Sequence, residues 1–165
     1  LQCACIEFAR NVLGLAGANS TEFAVDAADP VICLLDEQRN VTDVGGTQRL
    51  GAWVQTLIAG SLAERAYGRP SVSERHRHRY EFNNAYRDRF AERGLLVTGT
   101  STGGELVEVI ELANHPWFLA VQCHPEFQSK PTKAHPLFRD FIGASLIYRT
   151  ERKPAKATIV AGGSQ

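Results

Sequence analysis

The spacing of apolar residues changes several times along the chain, and each change predicts a different element. Over residues 2–13, Cys5, Ile6, Ala9, Val12 and Leu13 recur at the intervals of one helix face, and Gly14 supplies a stop. Turn formers crowd residues 17–23, which read as a loop. Residues 31–35 form a continuous apolar run, the mark of a buried strand, and residues 36–43 are a polar connection. The glycine-rich run 45–51 leads into a second strand-like stretch through Trp53, Val54 and Leu57. In Arg75-His76-Arg77-His78-Arg79, strand alternation puts three arginines on one face and two histidines on the other. Residues 84–93 read as a helix closed by Gly94, with Ala85, Tyr86 and Phe90 facing inwards. Residues 95–99 and 106–112 follow as strands around a turn at 101–104, and residues 118–121 as a short buried strand that Pro125 ends. A last helix over residues 136–149 carries Leu137, Phe138, Phe141, Ile142 and Leu146 as its buried stripe, and the polar or small residues 150–165 predict a frayed tail. Helices alternating with strands predict an α/β fold, a sheet flanked by helices with a small antiparallel portion near the middle.

Composition narrows the classes of function. At 165 residues the chain has about one domain's length, enough to bury a core. Its 18 basic and 18 acidic side chains cancel, which leaves no electrostatic footprint for nucleic acid or a membrane surface. No apolar run approaches the roughly 20 residues that span a bilayer. The four cysteines, at 3, 5, 33 and 123, show neither paired metal-ligand spacing nor a dense disulfide framework, so a reducing, cytoplasmic setting is expected. The chain starts at Leu1, contains no methionine and shows no signal peptide, and is expected to be an internal or C-terminal piece of a longer product.

Candidate chemistry concentrates at His124-Pro125-Glu126, just past a strand end, where α/β enzymes keep reactive groups. An imidazole needs an acceptor to fix its tautomer and stabilise its cation, and a carboxylate two positions on, past a rigid proline, can supply one. On spacing alone, a surface histidine near a surface glutamate fits as well. A base with its orienter also calls for a nucleophile. Cys3 and Cys5 lie inside a predicted helix rather than on the sharp turn that presents a nucleophile, and read as small buried hydrophobes. Cys123 neighbours His124 in an extended segment, so its side chain points to the opposite face and serves packing. The Arg-His alternation invites a metal site, but a metal asks for about three converging ligands and no acid or thiol stands at a suitable spacing. No metal is therefore expected.

Longer stretches carry a resemblance. Ala120-Val121-Gln122-Cys123-His124-Pro125-Glu126-Phe127, followed by a helix opening His135-Pro136-Leu137-Phe138, resembles the class I glutamine amidotransferases, whose Cys-His-Glu triad hydrolyses glutamine. Ser20-Thr21-Glu22-Phe23, Gly45-Gly46-Thr47-Gln48-Arg49-Leu50-Gly51, the run from Glu74 through Arg79 to Asn84, and Asn114-His115-Pro116-Trp117-Phe118 are together similar to the glutaminase domain of the CTP synthases. The resemblance implies a flavodoxin-like three-layer domain over residues 1–149, its N-terminal part with the oxyanion loop and nucleophile elbow missing, and a flexible tail over 150–165.

Roles follow from the same resemblance. Leu1 and Gln2 match the last two positions of the family's Gly-x-Cys-x-Gly-x-Gln elbow. The nucleophilic cysteine is thus expected just upstream, and the 165 residues alone are expected to be inactive. His124 would act as acid and base, oriented by Glu126; Leu1 and Gln2 would line the substrate site. Glu22 would hold the α-ammonium of L-glutamine, and Arg79 would grip the bound glutamine, as a guanidinium fork grips a carboxylate. Arg75 and Arg77 are expected in a structural ion-pair ladder. Residues 45–51 would form a lid that contributes to GTP activation, with Gln48 standing where methionine is usual. Ammonia would pass to a synthase domain of the same polypeptide, which aminates UTP with ATP and magnesium in a cytoplasmic homotetramer. The rival reading is a truncated, non-catalytic amidotransferase-like module with an interaction or regulatory role.

Overall fold

A computed structural model describes residues 1–34 and 48–151. Helix α1 (Gln2–Asn11) buries Cys5, Phe8 and Ala9, while Ile6, Val12 and Leu13 pack half-buried against the same core. Gly14 follows at φ +72°, a left-handed conformation that a side chain would strain, and so releases the chain from the helix. Part of the expected loop is a strand: β1 (Ala18–Ser20) pairs in parallel with β2 (Asp29–Cys33). The two-residue β5 (Glu81–Phe82) adds antiparallel to β2 and completes a sheet of order β1-β2-β5.

The larger sheet has the order β4-β3-β6-β7-β8, built from β3 (Arg49–Leu57), β4 (Ser71–His78), β6 (Leu95–Ser101), β7 (Val107–Leu112) and β8 (Leu119–Val121). Every neighbouring pair in it is antiparallel, so the expected small antiparallel portion is in fact the dominant pairing among the described residues. The local cause is visible in the connections. A tight turn with Gly104 at φ +85° joins β6 to β7, and α2 (Leu62–Tyr67) turns the chain back between β3 and β4. At six residues α2 is too short to leave a periodic signature. It is set by side chains instead: Ser61 Oγ accepts from the Glu64 N–H at 3.0 Å, and the Glu111 carboxylate of β7 accepts from the N–H groups of Leu62 and Ala63, each at 2.9 Å.

The core joins α1 to both sheets. Phe90 on α3 (Arg87–Glu92) is fully buried, edge-on to Phe82 at 5.2 Å and tilted against Phe8 at 5.4 Å. Ala85, expected on the inner face, is exposed in the short 3-10 turn that precedes α3. The final helix α4 (Pro136–Glu151) departs further from expectation. Leu137 is buried, but Phe138, Phe141, Ile142 and Leu146 are 41 to 56% exposed, because among the described residues no layer faces the rest of the stripe. β8 is likewise half-buried rather than buried. No helix is long and apolar enough to cross a membrane. The expected polar connection over residues 36–43, the start of the glycine-rich run at 45–47 and the expected tail beyond Glu151 lie outside the described residues.

Candidate active site

A cavity of about 670 Å³ opens between the start of α1, the end of β4 and the segment after β8. Leu1, Gln2, Glu22, Arg79 and His124 all line it, so residues far apart in sequence converge on one space. Glu126 stands behind His124 rather than in the wall.

His124 is held at both ends. Its backbone N–H donates to the Arg75 carbonyl at 2.8 Å, which clamps the chain to β4. Pro125 then opens a single 3-10 turn (Pro125–Gln128), and this tight reversal brings Glu126 Oε1 to 2.7 Å from His124 Nδ1. Of the two readings that spacing left open, the bonded pair is the one present. Burial pulls the Glu126 carboxyl upward, but the hydrogen bond from His124, a backbone hydrogen bond and the imidazole's charge together outweigh it and the net shift is downward. The Phe127 ring stacks on the imidazole at 5.3 Å. Behind the turn, the buried Glu74 carboxylate accepts from Gln128 Nε2 at 2.6 Å, from the Tyr67 hydroxyl at 2.9 Å and from His135 Nε2 at 2.7 Å. That hub fixes the turn to β4, α2 and the start of α4.

The opposite wall carries charge. Arg79 has its Nε buried without a hydrogen-bond partner, and among the described residues no carboxylate pairs with its guanidinium. Glu22 is exposed on a loop that is held where its own N–H donates to Ser20 Oγ at 3.2 Å. A cation and an anion on one cavity, neither paired with an opposite charge among the described residues, suit the two ends of an amino acid. Arg75 and Arg77 are exposed as strand alternation requires, but among the described residues neither meets a carboxylate, so the ion-pair ladder is absent there. The cysteines divide differently from expectation. Cys5 is fully buried, with its thiol pushed up to about 12 by burial, and Cys123 is 5% exposed with its thiol also raised by burial. Cys3, expected to be buried, is instead exposed on α1 and reaches the cavity.

Residues 1–144 match the family model described as glutamine amidotransferase class-I. The chain belongs to that family. It is 58% identical over 152 residues to a CTP synthase of Pelotomaculum thermopropionicum, covering 92% of this chain and 28% of the relative. With a CTP synthase of Geobacter metallireducens the identity is 55% over 155 residues, covering 94% and 29%. The chain therefore spans under a third of the curated relatives it matches. A solved Trypanosoma brucei CTPS glutaminase domain with bound acivicin superposes with a TM-score of 0.81 at 36% identity, over 88% of this chain and 57% of that one. These likenesses settle the class I amidotransferase fold and its kinship with CTP synthase glutaminase domains.

One feature of this amidotransferase escaped the sequence reading. The Arg49 guanidinium lies buried 2.7 Å from Glu108 and 3.4 Å from Glu81, and both carboxylates are fully buried. His76 Nδ1 and His78 Nε2 share a hydrogen bond of 2.8 Å beside them. Burial, aided by the Arg49 charge, lowers His76 to about 3 and His78 to about 4, so both imidazoles are neutral near pH 7. Burial raises Glu81 to about 7 against the pull of Arg49, and raises Glu108 as well. Ligand atoms of His76, His78 and Glu108 lie within 4.8 Å of one another, so an acid does stand beside the histidines although none has a suitable sequence spacing. Glu108 arrives from β7, where sequence spacing cannot see it. Yet Arg49 already supplies the cation on Glu108, and His76 Nδ1 is taken up by His78, while His76 Nε2 meets no hydrogen-bond partner among the described residues. Arg49 and its two carboxylates thus form a buried ion cluster beside the two neutral imidazoles.

Proposed function

We propose that this chain is the glutaminase part of a CTP synthase, and that its cavity binds L-glutamine and releases ammonia. The observation that carries the reading is the convergence of Glu22, Arg79 and a Glu126-bonded His124 on one cavity. Glu22 accepts the α-ammonium, Arg79 donates to the α-carboxylate, and Leu1 and Gln2 close the side nearest α1. With Glu126 holding the Nδ1 proton, Nε2 of His124 is the nitrogen that exchanges protons with the reacting groups.

The chemistry is acyl transfer through a thioester. A thiolate attacks the γ-carboxamide carbon, the C–N bond breaks, and His124 gives its proton to the departing ammonia. It then takes a proton from the water that hydrolyses the thioester and frees glutamate. The thiol belongs to the segment joined to Leu1, whose nitrogen lies 3.4 Å from the Val121 carbonyl, three residues before His124. Cys5 and Cys123 are too deeply buried to ionise. The ammonia passes to a synthase domain of the same polypeptide, where ATP and magnesium serve the amination of UTP. Both that domain and the homotetramer rest on the resemblance, as does GTP activation through the lid, of which residues 45–47 lie outside the described ones.

The test is ammonia release from L-glutamine by the full-length protein, in wild type and in Cys3→Ser. Turnover in both supports the reading. Turnover lost in Cys3→Ser moves the nucleophile to α1, and none in wild type ends the glutaminase assignment.

A further inference from the structure

Two hydrogen-bonded carboxamides sit side by side in the cavity wall. Gln122 is 6% exposed on the segment that leads from β8 to His124. Its Nε2 donates to the Tyr80 carbonyl at 3.3 Å and to Glu81 Oε2 at 3.1 Å, and its Oε1 accepts from Gln2 Nε2 at 3.1 Å. Gln2 Nε2 also donates to the Tyr80 carbonyl, at 3.0 Å. A carbonyl oxygen only accepts, so both amides must turn their nitrogen towards Tyr80. Rotating either amide by half a turn would set oxygen against oxygen at a buried site.

This arrangement uses every N–H of both amides. Two hydrogens of Gln122 end on Tyr80 and Glu81, and two of Gln2 end on Tyr80 and Gln122. Gln2 Oε1 accepts from none of the described residues, and Gln2 lines the cavity. We infer that Gln122 is a positioning residue that locks the Gln2 carboxamide with its oxygen left for the cavity, making Gln2 an obligatory acceptor for an N–H donor of the bound amino acid. The identity of that amino acid as glutamine rests on the function proposed above; the locked amide pair does not. Gln122 also borders the cavity, but both of its amide hydrogens are taken by Tyr80 and Glu81 and its oxygen by Gln2, so it acts through Gln2. Its position two residues before His124 couples the acid-base end of the site to the start of α1.

The experiment is a double-mutant cycle in the full-length protein, with ammonia-driven CTP formation as the control for folding. Gln122→Met keeps length and bulk but removes the amide. It is expected to raise the KM for glutamine about tenfold with kcat within about twofold, the pattern of lost binding rather than lost chemistry. In a Gln2→Ala background the same substitution is expected to add less than about twofold, because its effect is transmitted through a group already removed. An unchanged KM in Gln122→Met, or a full additional effect in Gln2→Ala, would overturn the inference while leaving the glutaminase reading intact. Should Gln122→Met fail to fold, Gln122→Asn withdraws the amide by one methylene and serves the same cycle. A second readout needs no turnover: the side-chain amide protons of Gln2 exchange slowly with solvent in wild type and quickly in the Gln122 variant. Fast exchange in wild type would sink the locked pair even if glutamine is hydrolysed, and slow exchange without hydrolysis would sink only the choice of substrate.

Discussion

Replacing Arg49 by methionine isolates the energetic role of the buried ion cluster. The guanidinium faces Glu108 at 2.7 Å and Glu81 at 3.4 Å, and neither acid has solvent access. Breaking a buried pair by removing one partner costs about 3–5 kcal/mol. Protonation sets a ceiling, since holding a glutamate of ordinary pKa neutral at pH 7.5 costs about 4 kcal/mol. Glu81 is already raised to about 7, so most of the new cost falls on Glu108. Both figures converge on a loss of about 4 kcal/mol at pH 7.5. The deficit is that of acids whose folded pKa is raised further, so it is present at high pH and shrinks to about 1 kcal/mol at pH 5. Urea unfolding followed by far-UV circular dichroism reads it, since the Trp53 ring at 4.9 Å loses its Arg49 contact in the variant and is a poor common probe. Converting Glu108 to methionine as well is expected to restore most of the stability. A loss under about 1 kcal/mol at pH 7.5, or an equal loss at both pH values, would refute the reasoning.

Two further outcomes are expected. Arg79→Lys lowers glutamine kcat/KM by about 1.5–3 kcal/mol, roughly 10- to 150-fold, because a lysine loses the planar fork, whereas the exposed Arg77→Lys costs about 0–1 kcal/mol. Kinetics on both variants with ammonia-driven activity as control decide it, and a larger effect at Arg77 would place the substrate-binding arginine on the wrong residue. Glu81→Gln changes the pH dependence of stability. Its folded pKa of about 7 lies above the ordinary 4.5, so wild type holds this contribution fully below about 4.5 and loses it as pH rises through 7, up to about 3 kcal/mol. The variant gains on wild type across that window in urea midpoints, and a constant offset at all pH values would contradict the assignment.

How much of this was legible depended on how local each signal was. His124 and Glu126 meet across one proline-opened turn, so their pairing could be read from three consecutive residues. The same holds for the face of α1 and for the alternation along β4, where His76 is buried between exposed arginines. The Arg49 cluster was invisible because its members come from β3, β4, β5 and β7, and only the sheet brings them together. Glu74 carried no signal of its own beside the arginine run, yet it gathers α2, the turn after His124 and α4. The α4 stripe shows the opposite failure. Its period was read correctly, but periodicity marks which face is apolar and not whether another layer covers it.

The central claim is that His124 serves glutamine hydrolysis and nothing else, and His124→Ala in the full-length protein tests it most directly. CTP formation is measured from UTP and ATP with either glutamine or external ammonia as the nitrogen source. The geometry predicts that the glutamine-driven rate falls by at least the 10²- to 10⁴-fold typical of a lost general acid-base, while the ammonia-driven rate stays within about twofold because the imidazole sits 39% exposed on a turn and supports no core contact. Equal loss of both rates would make His124 a structural residue and contradict the account.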